Sequence, residues 1–499
     1  MSKTYLTFDV GTTAMKCVLF DEKFEKKAFV SKEYSLITEG CGIVEIDPET
    51  YWQTFVFCIK TIGKENDLSN VSTLTFTTQG ETLIPVDKDL YALRRAIVWI
   101  DARAEEDAEK IKKEISAEEF YRTTGLPVIN GALPLAKLMW IKRCEKEIYD
   151  KTYKFLLLED YLIARLTKKT VSEMSLLSST GWFDINSECY FDELLEKCKI
   201  DKSKLPEIYK CASVVANVCA DAAKETGLSG ATVVTTGAMD QISSAVGAGN
   251  VLPGTVTETT GTALVIGATS DKADYSNPEM LTIYKHFDHS FLYMPFCNTA
   301  GIVLKWFKDN FLFDLEKQAK DENKSVYALV DEYAEHSQPG CGGVTLLPHF
   351  AGKSVPRAMD NASGVLFGLK LSTTRADVTR SVLEGVGYML CEVLEALERS
   401  GVAISEVRSL GGGSYSALWS QIKADICQKK FYRMNEAEST SLGAAVLGAC
   451  AIDSKDVVSV SLNVAKTKRS FEPDTKTREV YRAGYEKYLS LYNSLEKEF

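Results

Sequence analysis

Short apolar and β-branched runs open the chain: Tyr5-Leu6-Thr7-Phe8, then Lys16-Cys17-Val18-Leu19-Phe20, then Ala28-Phe29-Val30. Runs of that length, bounded by glycine and charged links, predict strands of one sheet. The period then changes. Asp47 as a cap and Pro48 in the first helical position mark a helix start, and Tyr51, Trp52, Phe55, Val56 and Ile59 fall on one face. Residues 71–76 read as another strand, which ends in the polar loop Thr77-Thr78-Gln79-Gly80-Glu81. From about 104 to 224 the spacing is mostly helical, as at Leu135, Leu138, Met139 and Ile141. Residues 231–235 form a buried strand that delivers Gly237-Ala238-Met239-Asp240 at its C-terminal end.

From about residue 254 the pattern restarts. Thr255-Val256-Thr257 and Leu264-Val265-Ile266-Gly267 flank a turn, and helices follow over 301–311 and 377–400. The longer one turns Val378, Val382, Val386, Met389, Val393 and Leu397 to one side. A strand over 407–410 leads through Gly411-Gly412-Gly413 into a helix carrying Leu418, Ile422 and Ile426. A further helix packs Leu442, Ala445, Val446 and Ala449. Strands first and helices after, performed twice, predict two related α/β domains with a cleft between them. Their expected extents are 1–248 and 254–450, with 451–499 as a helical extension.

Both halves contain a Gly-Thr turn between strands, Asp9-Val10-Gly11-Thr12-Thr13 in the first and Thr260-Gly261-Thr262-Ala263 in the second. In such a turn, backbone N–H groups and threonine hydroxyls point together into a concavity suited to an anion. One such turn is a common hairpin. Two on facing domains suit the phosphates of a nucleotide, and so phosphoryl transfer. Gly411-Gly412-Gly413 adds bare backbone at the open end of a strand, where ligands of α/β proteins dock; alone it reads equally as a loop.

Composition narrows the classes. A length of 499 residues exceeds one core. The net charge of −11 offers no basic surface to nucleic acid, and no apolar stretch is long enough to cross a bilayer. Thirteen cysteines without a C-x-x-C pair read as thiols of a reducing compartment, and Met1-Ser2-Lys3 leads into a strand without a secretory pattern, so a cytoplasmic protein is expected. The pair His286 and His289 reads as the polar face of a strand rather than as a metal site, since no third His or Cys lies near.

Further motifs carry a resemblance. Gly364-Val365-Leu366-Phe367-Gly368-Leu369, followed after a short spacer by Asp377-Val378-Thr379-Arg380-Ser381-Val382-Leu383-Glu384, resembles the C-terminal signature of the FGGY carbohydrate kinases. That family belongs with actin, hexokinase and the heat-shock-70 ATPases. Val44-Glu45-Ile46-Asp47-Pro48, residues 96–103, Gly352-Lys353-Ser354-Val355-Pro356-Arg357 and Glu438-Ser439-Thr440-Ser441-Leu442-Gly443 also fit. The N-terminal signature is met at Pro134, Lys137, Leu138 and Trp140 but not at Ala132 or Cys144.

The resemblance implies two ribonuclease-H-like, actin-like domains with a nucleotide and sugar cleft between them, and an ATP- and Mg²⁺-dependent sugar kinase. Asp240 aligns with the family's catalytic base; from the sequence alone it reads equally as the cap of a helix over 242–248. Asp9 would hold Mg²⁺ through water. Gly11, Thr12, Thr13 and Lys16 would lie on one side of the phosphates, and Gly261 and Thr262 on the other. Gly301, Lys305, Gly412 and Gly413 would flank the nucleoside. Gly80, Glu81, Trp99, Asp101 and Gln241 are the candidates for the sugar pocket. The loop Gln79-Gly80-Glu81-Thr82 matches neither the Gln-Met-His-Gly typical of xylulokinases nor the Gln-Arg-Glu-Thr of glycerol kinases. The small residues Gly80 and Ala132 predict a roomier wall.

A pentulose such as xylulose or ribulose is the expected acceptor, with glycerol, erythritol or a fuculose-type sugar as alternatives. An actin- or heat-shock-type ATPase and a sugar-sensing protein are the rivals outside sugar metabolism. They are disfavoured by the polar tail after residue 450, by the lack of a helix-turn-helix and by the acidic charge. No nucleic-acid or membrane partner is expected, and a homodimer is possible.

Overall fold

The computed structural model describes residues 3–40, 42–277, 279–435 and 438–499. Two sheets carry the molecule, and they share one plan. In the first, the antiparallel strands Lys26–Glu33, Ala14–Asp21 and Thr4–Val10 are followed by parallel neighbours Val71–Thr78 and Val233–Met239, and Val214–Asn217 closes the edge antiparallel. In the second, Phe291–Tyr293, Leu264–Ser270 and Gly254–Thr260 play the antiparallel part. Ile404–Leu410 and Lys430–Met434 continue in parallel, and Thr467–Phe471 closes the edge. The three parallel strands of each sheet place their C-terminal ends on the cleft, which is where chain reversals leave backbone groups free for ligands.

The local signals explain most elements. Asp47 accepts a hydrogen bond from the Glu49 amide and Pro48 starts the helix Pro48–Ile62, whose apolar face buries Tyr51, Trp52, Phe55 and Ile59. Thr374 and Asp377 form a reciprocal capping box at the head of Arg375–Arg399. The strand expected over 231–235 runs on as Val233–Met239. Gly237 allows this, because a Cβ there would lie 1.7 Å from the Phe76 carbonyl oxygen, so the two backbones ride closer than any other residue permits. The region expected to be mostly helical also holds the short strands Lys154–Leu157 and Val171–Glu173.

The two halves meet through helices that follow the last parallel strand of each sheet. Asp240–Gly247 crosses Ser439–Asp453 at two glycines. A Cβ on Gly247 would lie 1.9 Å from the Ser439 carbonyl oxygen, and one on Gly443 would lie 1.8 Å from that of Ser243. Ser439–Asp453 is apolar on all sides, as a fully enclosed helix should be. It rests on the first sheet, where a Cβ at Gly448 would lie 2.2 Å from Thr75 Oγ1. Residues after 450 are integral to the second half: Thr467–Phe471 is a sheet edge, and Arg478–Leu495 buries Tyr481, Tyr488 and Tyr492.

None of the twelve described cysteines is paired, and Cys41 lies outside the described residues. His286 departs from the expected polar face. It follows the strand Ile283–Lys285, is buried, and sets Nε2 3.0 Å from the Asn250 carbonyl oxygen. Among the described residues no helix is long and apolar enough to cross a membrane.

Candidate functional site

The first Gly-Thr turn joins two strands in which Asp9 and Lys16 are direct cross-strand partners. Lys16 Nζ stands 3.7 Å from Asp9 Oδ2 and 2.9 Å from Glu438 Oε2, so it ties the first half to the start of the crossing helix of the second. Burial raises the Asp9 carboxyl to about 6; Lys16 opposes this and Glu438 adds to it. Asp240 opens the helix Asp240–Gly247, and its Oδ1 accepts from the Gln241 amide at 2.7 Å. Its other oxygen has no hydrogen-bond partner among the described residues. Burial pushes Asp240 up to about 7, with the charges of Asp9 and Glu81 adding and the Gln241 amide opposing. Asp240 thus stands within electrostatic reach of both Asp9 and Glu81.

The loop over residues 79–82 is held from beneath. Lys137, fully buried on the helix Pro134–Cys144, donates from Nζ to the carbonyls of Val98 at 2.9 Å, Trp99 at 3.2 Å and Glu81 at 3.3 Å. Burial lowers its pKa, against the pull of Glu81. Glu81 sits at φ 66°, a left-handed conformation that non-glycine residues seldom adopt. Its carboxyl has no hydrogen-bond partner among the described residues, and burial raises its pKa against the pull of Lys137. The Gln241 side chain is likewise unpartnered. The expected room at Gly80 is not simply empty: a Cβ there would lie 3.1 Å from Ser179 Oγ and 3.2 Å from Met239 Sδ.

Two expectations need correction. Asp101 does not face the pocket. It is fully buried, and its oxygens accept from the Val44 amide at 2.6 Å and from Arg103 Nε at 2.9 Å and Nη2 at 2.7 Å. Burial opposes its charge, but these bonds outweigh it and the carboxyl is lowered. The Thr12 hydroxyl does not offer its hydrogen to a phosphate either. It donates to Gln79 Oε1 at 2.8 Å and accepts from Trp99 Nε1 at 2.9 Å. The first turn therefore presents Thr13 and the amides of Thr12 and Thr13, since the Gly11 amide donates to the Ala14 carbonyl, and Thr12 links the turn to the loops that carry Gln79 and Trp99. Trp99, at 39% exposure, keeps part of its ring open in that linkage.

The second turn is freer. Thr262 is exposed, without a side-chain partner among the described residues. Behind the turn Lys423 Nζ donates to Glu258 Oε1 at 2.8 Å and Thr260 Oγ1 at 2.7 Å, and all three residues are buried. The helix Gly301–Phe311 docks its first amides on the turn: Gly301 donates to the Gly261 carbonyl at 2.8 Å and Ile302 to that of Thr262 at 3.2 Å. A Cβ at Gly301 would lie 2.3 Å from the Gly261 carbonyl oxygen, and one at Gly413 would lie 2.7 Å from Thr260 Cβ. At Gly261 and Gly412 a Cβ would meet nothing within 4 Å, so both leave bare backbone beside open space. These four glycines, Thr262 and Lys305 line a cavity of about 470 Å³. The Lys305 ammonium is paired with Asp309 at 2.5 Å, one helical turn on.

Two residues of the site had no signal in the sequence. Tyr284, on the strand Ile283–Lys285 of the second half, is buried and has a hydroxyl without a hydrogen-bond partner among the described residues. Burial first, and then the charges of Glu81 and Asp240, push its phenol well above its ordinary value, so it lies within electrostatic reach of both carboxyls. Asp331, on the helix Val326–Glu335, lines the cavity near Ser416.

A duplicated sheet with paired turns and a glycine-lined cavity at its cleft is the two-domain fold of the actin-like ATPases. The chain belongs to the FGGY family of carbohydrate kinases, whose N-terminal domain matches residues 4–247 and whose C-terminal domain matches residues 256–452. It is 28% identical over 503 residues to a gluconokinase of Bacillus subtilis (strain 168), covering 100% of this chain and 97% of the relative. It is also 28% identical over 496 residues to a xylulose kinase of Escherichia coli (strain K12), covering 98% and 99%. The crystal structure of gluconate kinase from Lactobacillus acidophilus superposes with a TM-score of 0.90 at 26% identity, over 99% of this chain and 98% of that one. The protein is a carbohydrate kinase.

Proposed function

We propose that this kinase transfers the γ-phosphoryl group of ATP to a terminal hydroxyl of a neutral ketose or polyol, with a pentulose such as xylulose or ribulose as the first candidate. Asp240 is the base: its free oxygen accepts the acceptor's proton as the phosphoryl group departs, and a carboxyl raised to about 7 is matched to that task near neutral pH. The nucleotide lies in the glycine-lined cavity with its phosphates toward Gly261 and Thr262. Asp9 fits a hydrated Mg²⁺. It is a carboxylate at the cleft that already repels Asp240, and among the described residues no three His, Cys, Asp or Glu side chains converge into a metal cage. The ion supplies neutralisation of phosphate charge when bound.

The observation that favours a neutral acceptor is the charge of the sugar end. Glu81 and Asp240 are acidic, Gln241 and Tyr284 are neutral, and the ammonium of Lys137 beneath them is spent on three backbone carbonyls. An aldonate would meet carboxylates there, whereas vicinal hydroxyls can donate to Glu81. The test is a coupled ADP-release screen across pentuloses, hexuloses, pentitols, erythritol, glycerol and gluconate. A neutral ketose or polyol should give the highest kcat/KM. Preference for gluconate would overturn the acceptor class, and acceptor-independent release would overturn the transfer itself.

A further inference from the structure

The cavity is lined by two chemically different sets of residues. The second turn brings the Thr262 hydroxyl and amide, which have no hydrogen-bond acceptor among the described residues, to the cavity beside the bare backbone of Gly261, a corner suited to an anion. Lining the cavity from other elements are Tyr327 and Tyr415, both with exposed rings, and the carboxylate of Asp331. Tyr415 is steadied by the Arg433 guanidinium 4.3 Å above its ring. A carboxylate is repelled by a triphosphate, so Asp331 belongs to the uncharged end of the nucleotide, and exposed aromatic faces suit a purine ring there.

We propose that Asp331 reads the nucleobase by accepting a hydrogen bond from the 6-amino group of adenine. The argument is one of inventory. An ionised carboxylate can only accept, and adenine carries a single hydrogen-bond donor group, its 6-amino. Ser416, whose Oγ already accepts from the Trp419 amide at 2.9 Å, stands beside the carboxylate at the head of the helix Ala417–Cys427. Burial raises Asp331 to about 6, so at neutral pH it remains the acceptor the contact needs. The proposal rests on the cavity being the nucleotide site.

Titration calorimetry with Mg²⁺ tests it without any sugar, comparing ADP, the diphosphate of purine riboside (which lacks the 6-amino group) and 2′- and 3′-deoxy-ADP. The full-length protein should bind ADP about tenfold or more tighter than the purine riboside diphosphate. In Asp331→Ala the two should bind alike. Asp331→Asn, which keeps a carbonyl acceptor, should restore part of the difference. A preference for the amino group that survives in Asp331→Ala would overturn the assignment. So would deoxy-nucleotides, rather than the purine riboside diphosphate, losing their sensitivity to the substitution, since the contact would then be to ribose. Failure of the unaltered protein to bind ADP would overturn both this proposal and the nucleotide site, whereas binding without discrimination would overturn this proposal alone.

Discussion

At the first turn the Thr12 hydroxyl gives its hydrogen to Gln79 and takes one from Trp99, while at the second turn Thr262 stands exposed without a partner. The backing differs in the same sense. Behind the first turn Asp9 keeps a raised, cleft-facing carboxyl, whereas behind the second Glu258 is buried and neutralised by Lys423. One hairpin thus serves two ends. The first half offers an acidic wall, tied through Thr12 to Gln79 and Trp99, and the second half offers a bare-backbone wall of the kind that suits phosphate and nucleoside. Duplication supplied the geometry, and the side chains around each turn divided the work.

The largest expected effect comes from the acidic wall. Asp240→Asn should lower kcat by about two to four orders of magnitude and leave ADP affinity nearly unchanged by calorimetry. A collapse of nucleotide affinity instead would break the division between the walls. On the backbone wall, Gly301→Val adds a side chain whose Cβ alone would lie 2.3 Å from the Gly261 carbonyl oxygen. Displacing the turn should cost about 1–3 kcal/mol and raise the KM for ATP, with the sugar KM little altered in steady-state kinetics.

The paired threonines sharpen the contrast. Thr262→Val should weaken nucleotide binding by about 1.5 kcal/mol, one hydrogen bond to a charged group. Thr12→Val should spare ADP affinity and raise the sugar KM, because it unties Gln79 and Trp99. Equal effects of both variants on ADP titrations would mean that the turns are used alike. The smallest effect is a shift in pH dependence. Asp240 acts as a base only when ionised, so kcat should rise as pH passes through about 7. Asp9→Asn removes a charge that raises Asp240, and the rising limb should then move to lower pH.

Much of this was legible in the sequence because it depends on neighbours in the chain. The Gly-Thr hairpins, the capped helix at Pro48 and the helix Gly301–Phe311 follow from local patterns. What was not legible depends on partners distant in the chain. Leu442, Ala445, Val446 and Ala449 mark one packed face of Ser439–Asp453, but the helix is apolar all round, and nothing in its sequence says that it rests on the opposite sheet. Asp101 reads as a pocket residue in the sequence, but its oxygens are taken by Val44 and Arg103, which are set by the fold. Tyr284 and Asp331 lie in ordinary strand and helix sequences and gain meaning only from the cleft they reach. Lys137 could be matched to a signature, but its three carbonyl contacts come from two separate loops.

The most direct test follows phosphate from γ-labelled ATP into the best acceptor of the screen, with the unaltered protein and Asp240→Asn side by side at equal nucleotide saturation. Acceptor-dependent transfer in the first, with at least a hundredfold slower transfer in the second and the same ADP affinity in both, is the predicted result. Label released to water at the same rate with or without acceptor, or transfer by Asp240→Asn within tenfold of the unaltered rate, would contradict the account.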